Sequence, residues 1–318
     1  VSAVAEGPTR EQWIADRATY AGGTDAAAIL GVHPYKSSYE VWCEKLGLVQ
    51  RQESPAMRFG RMAESMVVDM YAEQFGFGFE ESGVVRHPER PFLAGNPDRL
   101  FKDRPGILEV KTTKDNFTGD GWGEPGTDQV PKHYLIQGVY YLMLTNREFC
   151  DFALFRRDTC EVLQYRVWRD MELESTIVSR VVQWWERHVV GGDPVDPDGS
   201  ESASELIKAQ LPKGNGLEIA ATPEVEEWIA NLIRVKAQIK EFEALEVGLS
   251  NRIKLFMGEA SALTSVHGKV TWKNNKDSTE TDWQALALSL SPKPEQIAPH
   301  QKAKPGNRVF RLPKAKEF

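Results

Sequence analysis

Two short stretches, Asn96-Pro97-Asp98 and Leu108-Glu109-Val110-Lys111, hold residue types able to cut a phosphodiester bond. In a strand, residues i and i+2 point to the same face. Glu109 and Lys111 then share a face with Ile107, while Leu108 and Val110 turn the other way into a core. Asp98 follows a proline in a turn that can return its carboxylate to the Glu109 face. Two carboxylates beside a lysine are costly unless a cation lies between them. The spacing suits Mg²⁺, which takes oxygen ligands. A divalent cation next to an ammonium can make a nucleophile from water and stabilise charge on a phosphate. Plainer readings exist for the same residues. Asn-Pro-Asp is an ordinary turn sequence, and an acid and a lysine at i and i+2 are often the solvated side of a strand.

These groups need elements to hold them. Glu11 to Arg17 reads as a short helix, and the turn Ala21-Gly22-Gly23-Thr24-Asp25 can cap a second helix over Ala26 to Leu30. Ser38 opens a third, with Val41, Trp42 and Leu46. From Met57 to Phe75, apolar residues recur at three and four (Phe59, Met62, Ala63, Met66, Val67, Met70, Tyr71), which predicts one buried stripe with Glu64 beside it. Strands are expected at Val84 to Arg86, Phe92 to Gly95 and Ile107 to Thr113. Lys114 to Pro131 is a long polar loop with Phe117 and Trp122, and loops of that length are usually functional or mobile. A helix from Pro131 carries His133, Tyr134, Gln137, Tyr140, Tyr141 and Leu144. Two strands follow, Phe149 to Arg156 and Glu161 to Trp168, then a helix from Met171 to Val190 that keeps Trp184 and Trp185 in the core.

Turn-forming segments at Gly191 to Gly199 and Pro212 to Gly216 lead to a change of texture. The expected domains are 1–215 and 216–318. Beyond the break, Pro223 to Phe256 places Trp228, Leu232, Val235, Ile239, Phe242, Leu245, Leu249, Ile253 and Phe256 in a near-heptad series. A long helix packed on its neighbours is expected there rather than an independent coiled coil. Ala262 to Asn274 reads as a hairpin, Ser289 to Gly306 as extended chain, and Arg308 to Leu312 as a last strand. Strands interleaved with helices in the first half mean an α/β core.

Composition narrows the class. The chain has 318 residues, 41 % hydrophobic and 27 % charged, which are ordinary globular values. No apolar run approaches the roughly 20 residues of a membrane span, and the polar, acidic start is unlike a secretory leader. A cytoplasmic protein with no membrane partner is expected. Cys43, Cys150 and Cys160 form no CxxC pair and are too few for a four-cysteine cluster or zinc site. Six histidines include no HExxH pattern. A net charge of −7 argues mildly against nucleic acid as partner, although a cleft can be basic inside an acidic surface. Near the end, Lys302, Lys304, Arg308, Arg311, Lys314 and Lys316 face only Glu317 and are candidate phosphate or partner contacts.

Several of these residues, taken in order, resemble the phage lambda-type exonucleases, more narrowly the YqaJ-like viral recombinases of the PD-(D/E)xK nuclease superfamily. The likeness runs through Trp13, Arg17, Gly23-Thr24-Asp25-Ala26, Phe59-Gly60-Arg61-Met62-Ala63-Glu64, the two acid stretches, and Gln137 on the next helix, and covers the chain to about Trp185. It implies a restriction-endonuclease-like core, a mixed central sheet flanked by helices, with a C-terminal extension of long helix and β-hairpin.

The same resemblance implies roles. Asp98 and Glu109 would bind Mg²⁺ (Mn²⁺ as a substitute), with the Val110 carbonyl as a further ligand and Glu64 joining directly or through water. Lys111 would position or activate the attacking water or steady the scissile phosphate, and Gln137 would orient the Lys111 end of the site. Arg17 and Thr24 fall where the family holds the 5′-phosphate, and Asn96 stands where the family has a serine. Arg suits that anchor because its guanidinium meets phosphate in bidentate fashion. Taken singly, Arg17 and Glu64 read as solvated helix residues, and Gln137 as a buried amide. The implied activity is a 5′→3′ exodeoxyribonuclease on double-stranded DNA ends, of phage or prophage origin in a bacterial cytoplasm. It would form a homotrimer and leave 3′ overhangs for a single-strand annealing protein. The alternatives are a sequence- or structure-specific endonuclease on the same fold, or a non-catalytic recombination scaffold.

Overall fold

The computed structural model describes residues 15–49, 53–113, 121–277 and 279–300, with Phe310 and Leu312. Two units divide at Gln210. In the first, helices α1 (Gly23–Ile29), α2 (Ser38–Lys45) and α3 (Pro55–Phe75) precede strands β1 (Phe79–Glu80), β2 (Val85–Arg86), β3 (Ala94–Gly95), β4 (Arg99–Phe101) and β5 (Gly106–Thr113). Helix α4 (Lys132–Thr145) leads to β6 (Phe149–Arg156) and β7 (Val162–Trp168). Helix α5 (Met171–Trp184) runs on as a π-helical stretch, Trp185–Val190, and α6 spans Glu201–Gln210.

The central sheet has five strands in the order β1-β4-β5-β6-β7. It is mixed: β5 and β6 are parallel, with Glu109 opposite Phe152, and the other pairs are antiparallel. Parallel neighbours need a crossover, which α4 supplies. The short β2 and β3 pair separately. Residues of β5 and β6 alternate between two apolar layers. Leu108, Phe149, Ala153 and Phe155 pack with Ala63, Val67 and Tyr71 of α3. Ile107, Cys150, Phe152 and Leu154 join α1, α4 and α5 in the other layer. Helices therefore cover both faces of the sheet, the core expected from the resemblance. Trp184 and Trp185 are buried in it, and so is Trp122 from the loop before α4.

Some expectations change. Only the Ala63, Val67 and Tyr71 line of α3, with Val68, is buried, while Phe59, Met62 and Met66 are exposed. Residues four apart along a helix make a narrow line, and the sheet meets α3 along just one such line. The strands β1 and β4 were not anticipated, because runs of two and three residues carry no readable alternation. Trp13, Phe117 and the basic residues from Lys302 to Lys316 lie outside the described residues, and so does most of the strand expected over 308–312.

In the second unit, α7 (Pro223–Met257) is capped by Thr222, whose hydroxyl accepts from the Val225 N–H. The hairpin β8 (Ala262–Ser265) and β9 (Gly268–Thr271) follows, with Gly268 at φ +115° in its turn. The stretch expected to be extended contains a short helix, α9 (Pro294–Ile297), preceded by α8 (Trp283–Ser289). Proline at the first turn of α9 is favourable to a helix. The expectation that α7 packs its apolar stripe on neighbours is overturned: Trp228, Ile239, Phe242 and Phe256 are 57, 51, 69 and 79 % exposed. No helix among the described residues is long and apolar enough to cross a membrane.

Candidate active site

Asp98 ends the turn before β4, and β4 pairs with β5, so its carboxylate arrives beside Glu109 and Val110. The Val110 N–H donates to Asp98 Oδ2 at 2.7 Å, and the Asp98 N–H donates to Glu109 Oε1 at 3.3 Å. Each acid is thus fixed by the other's backbone neighbourhood. Lys111 Nζ donates to Glu109 Oε2 at 2.8 Å and lies 5.0 Å from the centre of the Tyr134 ring. Glu109 is 1 % exposed. Glu64 reaches in from α3, its Oε1 accepting from Arg99 Nη1 at 2.8 Å.

These groups line a cleft of about 350 Å³ together with Thr24, Asn96, Val110 and Gln137. Gln137 Nε2 donates to the Tyr141 hydroxyl at 3.5 Å. Glycine makes room for that tyrosine: a Cβ at Gly95 would lie 2.4 Å from Tyr141 Cε1, and one at Gly23 would lie 2.9 Å from it. Of the residues proposed for the site, Arg17 alone does not line this cleft. Its guanidinium lies 3.6 Å from Asp25 Oδ2 and over the Tyr20 ring. Asp25 is the hub there. Fully buried, it accepts from Lys36 and Lys45, each at 2.8 Å, and from the Gly22 N–H at 3.0 Å.

The electrostatics of the two clusters differ. Burial alone would raise Asp25, but Lys36, Lys45 and Arg17 hold it well below the ordinary carboxylate range. Lys36, which also pairs with Glu44, is raised despite burial, whereas burial wins at Lys45, which is lowered. In the cleft the balance reverses. Burial and the Glu109 carboxylate push Asp98 up to about 7. Burial raises Glu109 against the pull of Lys111, and burial with the nearby Asp98 raises Glu64. Lys111 is raised, because Glu109 and Asp98 outweigh its burial. Three carboxyls raised together mark a site short of positive charge.

That shortage fits a hard divalent cation. Among the described residues, no three His, Cys, Asp or Glu side chains converge as ligands for one ion. Glu64 is engaged by Arg99. Asp98 and Glu109 would leave the other positions around such an ion to backbone carbonyl and water, ligands that Mg²⁺ commonly takes. Val110 also lines the cleft.

Sequence reading gave no role at the site to several of its neighbours. Arg99, Tyr134, Tyr141 and His133 all reach it or its lining. A signal existed for α4, since positions 133, 134, 137 and 141 share one helix face. For Arg99 there was only its adjacency to Asp98. His33 also lines the cleft, 5.4 Å ring to ring from His133, and no local pattern announced it.

The mixed sheet thus brings Asp98, just before β4, beside Glu109 and Lys111 of β5, with Gln137 of α4 lining the same cleft. Residues 12–148 match the family model of the YqaJ-like viral recombinase domain. The protein YqaJ of Bacillus subtilis (strain 168), itself uncharacterized, is 28 % identical over 276 residues, 83 % of each chain. Two crystal structures of LHK-Exo, an alkaline exonuclease from Laribacter hongkongensis, align at 23 and 22 % identity with TM-scores of 0.47 and 0.46. One of them is a complex with dAMP; both alignments cover 57 % of this chain and 93 % of theirs. A phage-related exonuclease from Haemophilus somnus 129PT aligns at 14 % identity, with a TM-score of 0.41, over 55 % of this chain and 96 % of that one.

Proposed function

We propose that this protein is a Mg²⁺-dependent exodeoxyribonuclease that digests the 5′-ended strand of linear double-stranded DNA and leaves a 3′ overhang. The observation that carries the reading is the Asp98–Glu109–Lys111 cluster, buried, short of positive charge and open to one cleft. The match of residues 12–148 to the YqaJ-like viral recombinase domain supports the nuclease class. End dependence, polarity, a homotrimeric ring and a single-strand annealing partner extend the proposal on the strength of the family resemblance.

When bound, Mg²⁺ supplies Lewis-acid stabilisation of phosphoryl oxygens and a lower pKa for water. Asp98 and Glu109 would hold it, with Val110 and, directly or through water, Glu64 completing the set. Lys111 keeps its proton through neutral pH, because Glu109 and Asp98 outweigh burial. It therefore acts as a fixed positive charge toward the scissile phosphate and an orienting donor for water. Gln137 and Tyr141 close the wall behind that end of the site. Thr24 and Asn96 would meet the 5′-phosphate from the cleft wall, and Arg17, held beside Asp25, would reach it from outside the cleft lining.

The test is digestion of 5′-phosphorylated linear duplex alongside closed circular DNA of the same sequence, with Mg²⁺. Loss of the linear form with the circle intact is expected. Cutting of the circle would establish an endonuclease on this core, and no cleavage of either would leave a scaffold.

Proton linkage provides a second check. A carboxyl raised in the folded state favours folding at low pH, and that contribution is lost as pH rises from the ordinary carboxylate range through the folded value. Asp98 therefore makes the metal-free protein less stable as pH climbs through about 7. A cation must displace the Asp98 proton below that point. Calorimetric Mg²⁺ affinity is expected to rise about tenfold from about pH 6 to about pH 8, with proton release at the lower pH. A pH-independent affinity would remove Asp98 from the ligand set.

A further inference from the structure

Helix α7 carries a pattern that the catalytic reading does not use. Thirty-five residues make a rod of about 52 Å at 1.5 Å per residue. From Val225 to Phe256 nine of the ten a and d positions of a seven-residue repeat are apolar. At position a stand Val225, Leu232, Ile239, Glu246 and Ile253, and at d stand Trp228, Val235, Phe242, Leu249 and Phe256. Such a repeat drives helices to pair with knobs in holes. The face is laid bare on the single chain, Leu249 and Ile253 being 49 and 42 % exposed beside the more open aromatics.

The one acidic a position decides the partner. In a parallel, in-register pair or trimer, copies of Glu246 would meet in one apolar layer, like charges with no water. Reversing one helix removes that clash. With Val225 opposite Phe256 of the second copy, every a residue meets a d residue, and Glu246 meets Val235. The flanks then agree. Antiparallel packing brings e beside e and g beside g, which sets Lys236 against Glu243 of the second copy, and Glu243 against Lys236, symmetrically about the centre. Glu246 lies next to the same lysine. The parallel arrangement offers no such pair, since it would face Asn231 with Lys236 and Gln238 with Glu243.

We infer that α7 is a self-association element that pairs antiparallel with α7 of a second copy of this chain, centred between Ile239 and Phe242. The pairing joins protomers two by two, whatever the assembly of the catalytic unit, and it is independent of the proposed nuclease activity.

The test is the solution mass of the full chain by sedimentation equilibrium, with helix content followed by circular dichroism. Wild type is expected at twice the mass of Ile239→Asp/Phe242→Asp. Lys236→Glu, a surface change, is expected to weaken association about tenfold, and adding Glu243→Lys is expected to restore it. Equal masses for wild type and every variant would overturn the pairing. Failure of the double reversal to restore it would overturn the antiparallel register, even if the aspartate variant loses its fold.

Discussion

Lys111→Ala is expected to lower the rate of DNA digestion by about a thousandfold or more while the chain stays folded. Removing one preorganised donor to a developing oxyanion typically costs about 10²–10³ in rate, and Lys111 also carries the ammonium that balances Glu109 and Asp98. Its side chain is 12 % exposed and its nitrogen is held at 2.8 Å by Glu109, so its position is set before substrate arrives. Loss of that partner leaves the Glu109 carboxylate buried. The carboxyl is already raised by burial, so protonation offers a way to relieve the unpaired charge. Cleavage of 5′-phosphorylated linear duplex, measured with thermal unfolding of the same sample, separates chemistry from folding. A folded variant that digests DNA at the wild-type rate would remove Lys111 from the reaction.

Asp25→Ala is expected to produce the largest loss of stability, about 3–5 kcal/mol, since breaking a buried ion pair strands its partners. Here the stranded groups are Lys36 and Lys45, each 2 % exposed at the side chain, and Arg17 loses the carboxylate that aims it. For a unit of this size each kcal/mol is worth about 2–4 °C, so the melting midpoint should fall by roughly 10 °C. The pH sign is opposite to that of Asp98. Asp25 titrates well below its ordinary range when folded, so its contribution is fully present above that range and is lost as pH falls toward the folded value. The difference between wild type and variant should therefore shrink in acid. A change below about 1 kcal/mol near neutral pH would show that the network contributes no more than a surface salt bridge.

Neither cluster was equally open to sequence reading. The acid–acid–lysine set was legible because a strand alternates faces with a period of two, so the spacing of Glu109 and Lys111 alone put them side by side. Leu108 toward α3 and Ile107 toward α4 follow from the same alternation. Asp25 was readable only as a cap. Its true partners, Lys36 and Lys45, come from a loop and from α2, and no periodicity links them to it. Arg99 was hidden for the same reason: its partner Glu64 lies on α3, far back in the chain.

Local periodicity and turn chemistry determined what this chain could decide by itself. They set the central strand with its acids, the glutamine-bearing helix, and the heptads of α7, since each depends on residues within a few positions of one another. The tertiary structure decided how much charge each group must bear. The buried trio on Asp25, the three raised carboxyls of the cleft and the uncovered α7 face are properties of which distant elements meet. Desolvation and Coulomb energy depend on that meeting, and spacing along the chain does not encode it.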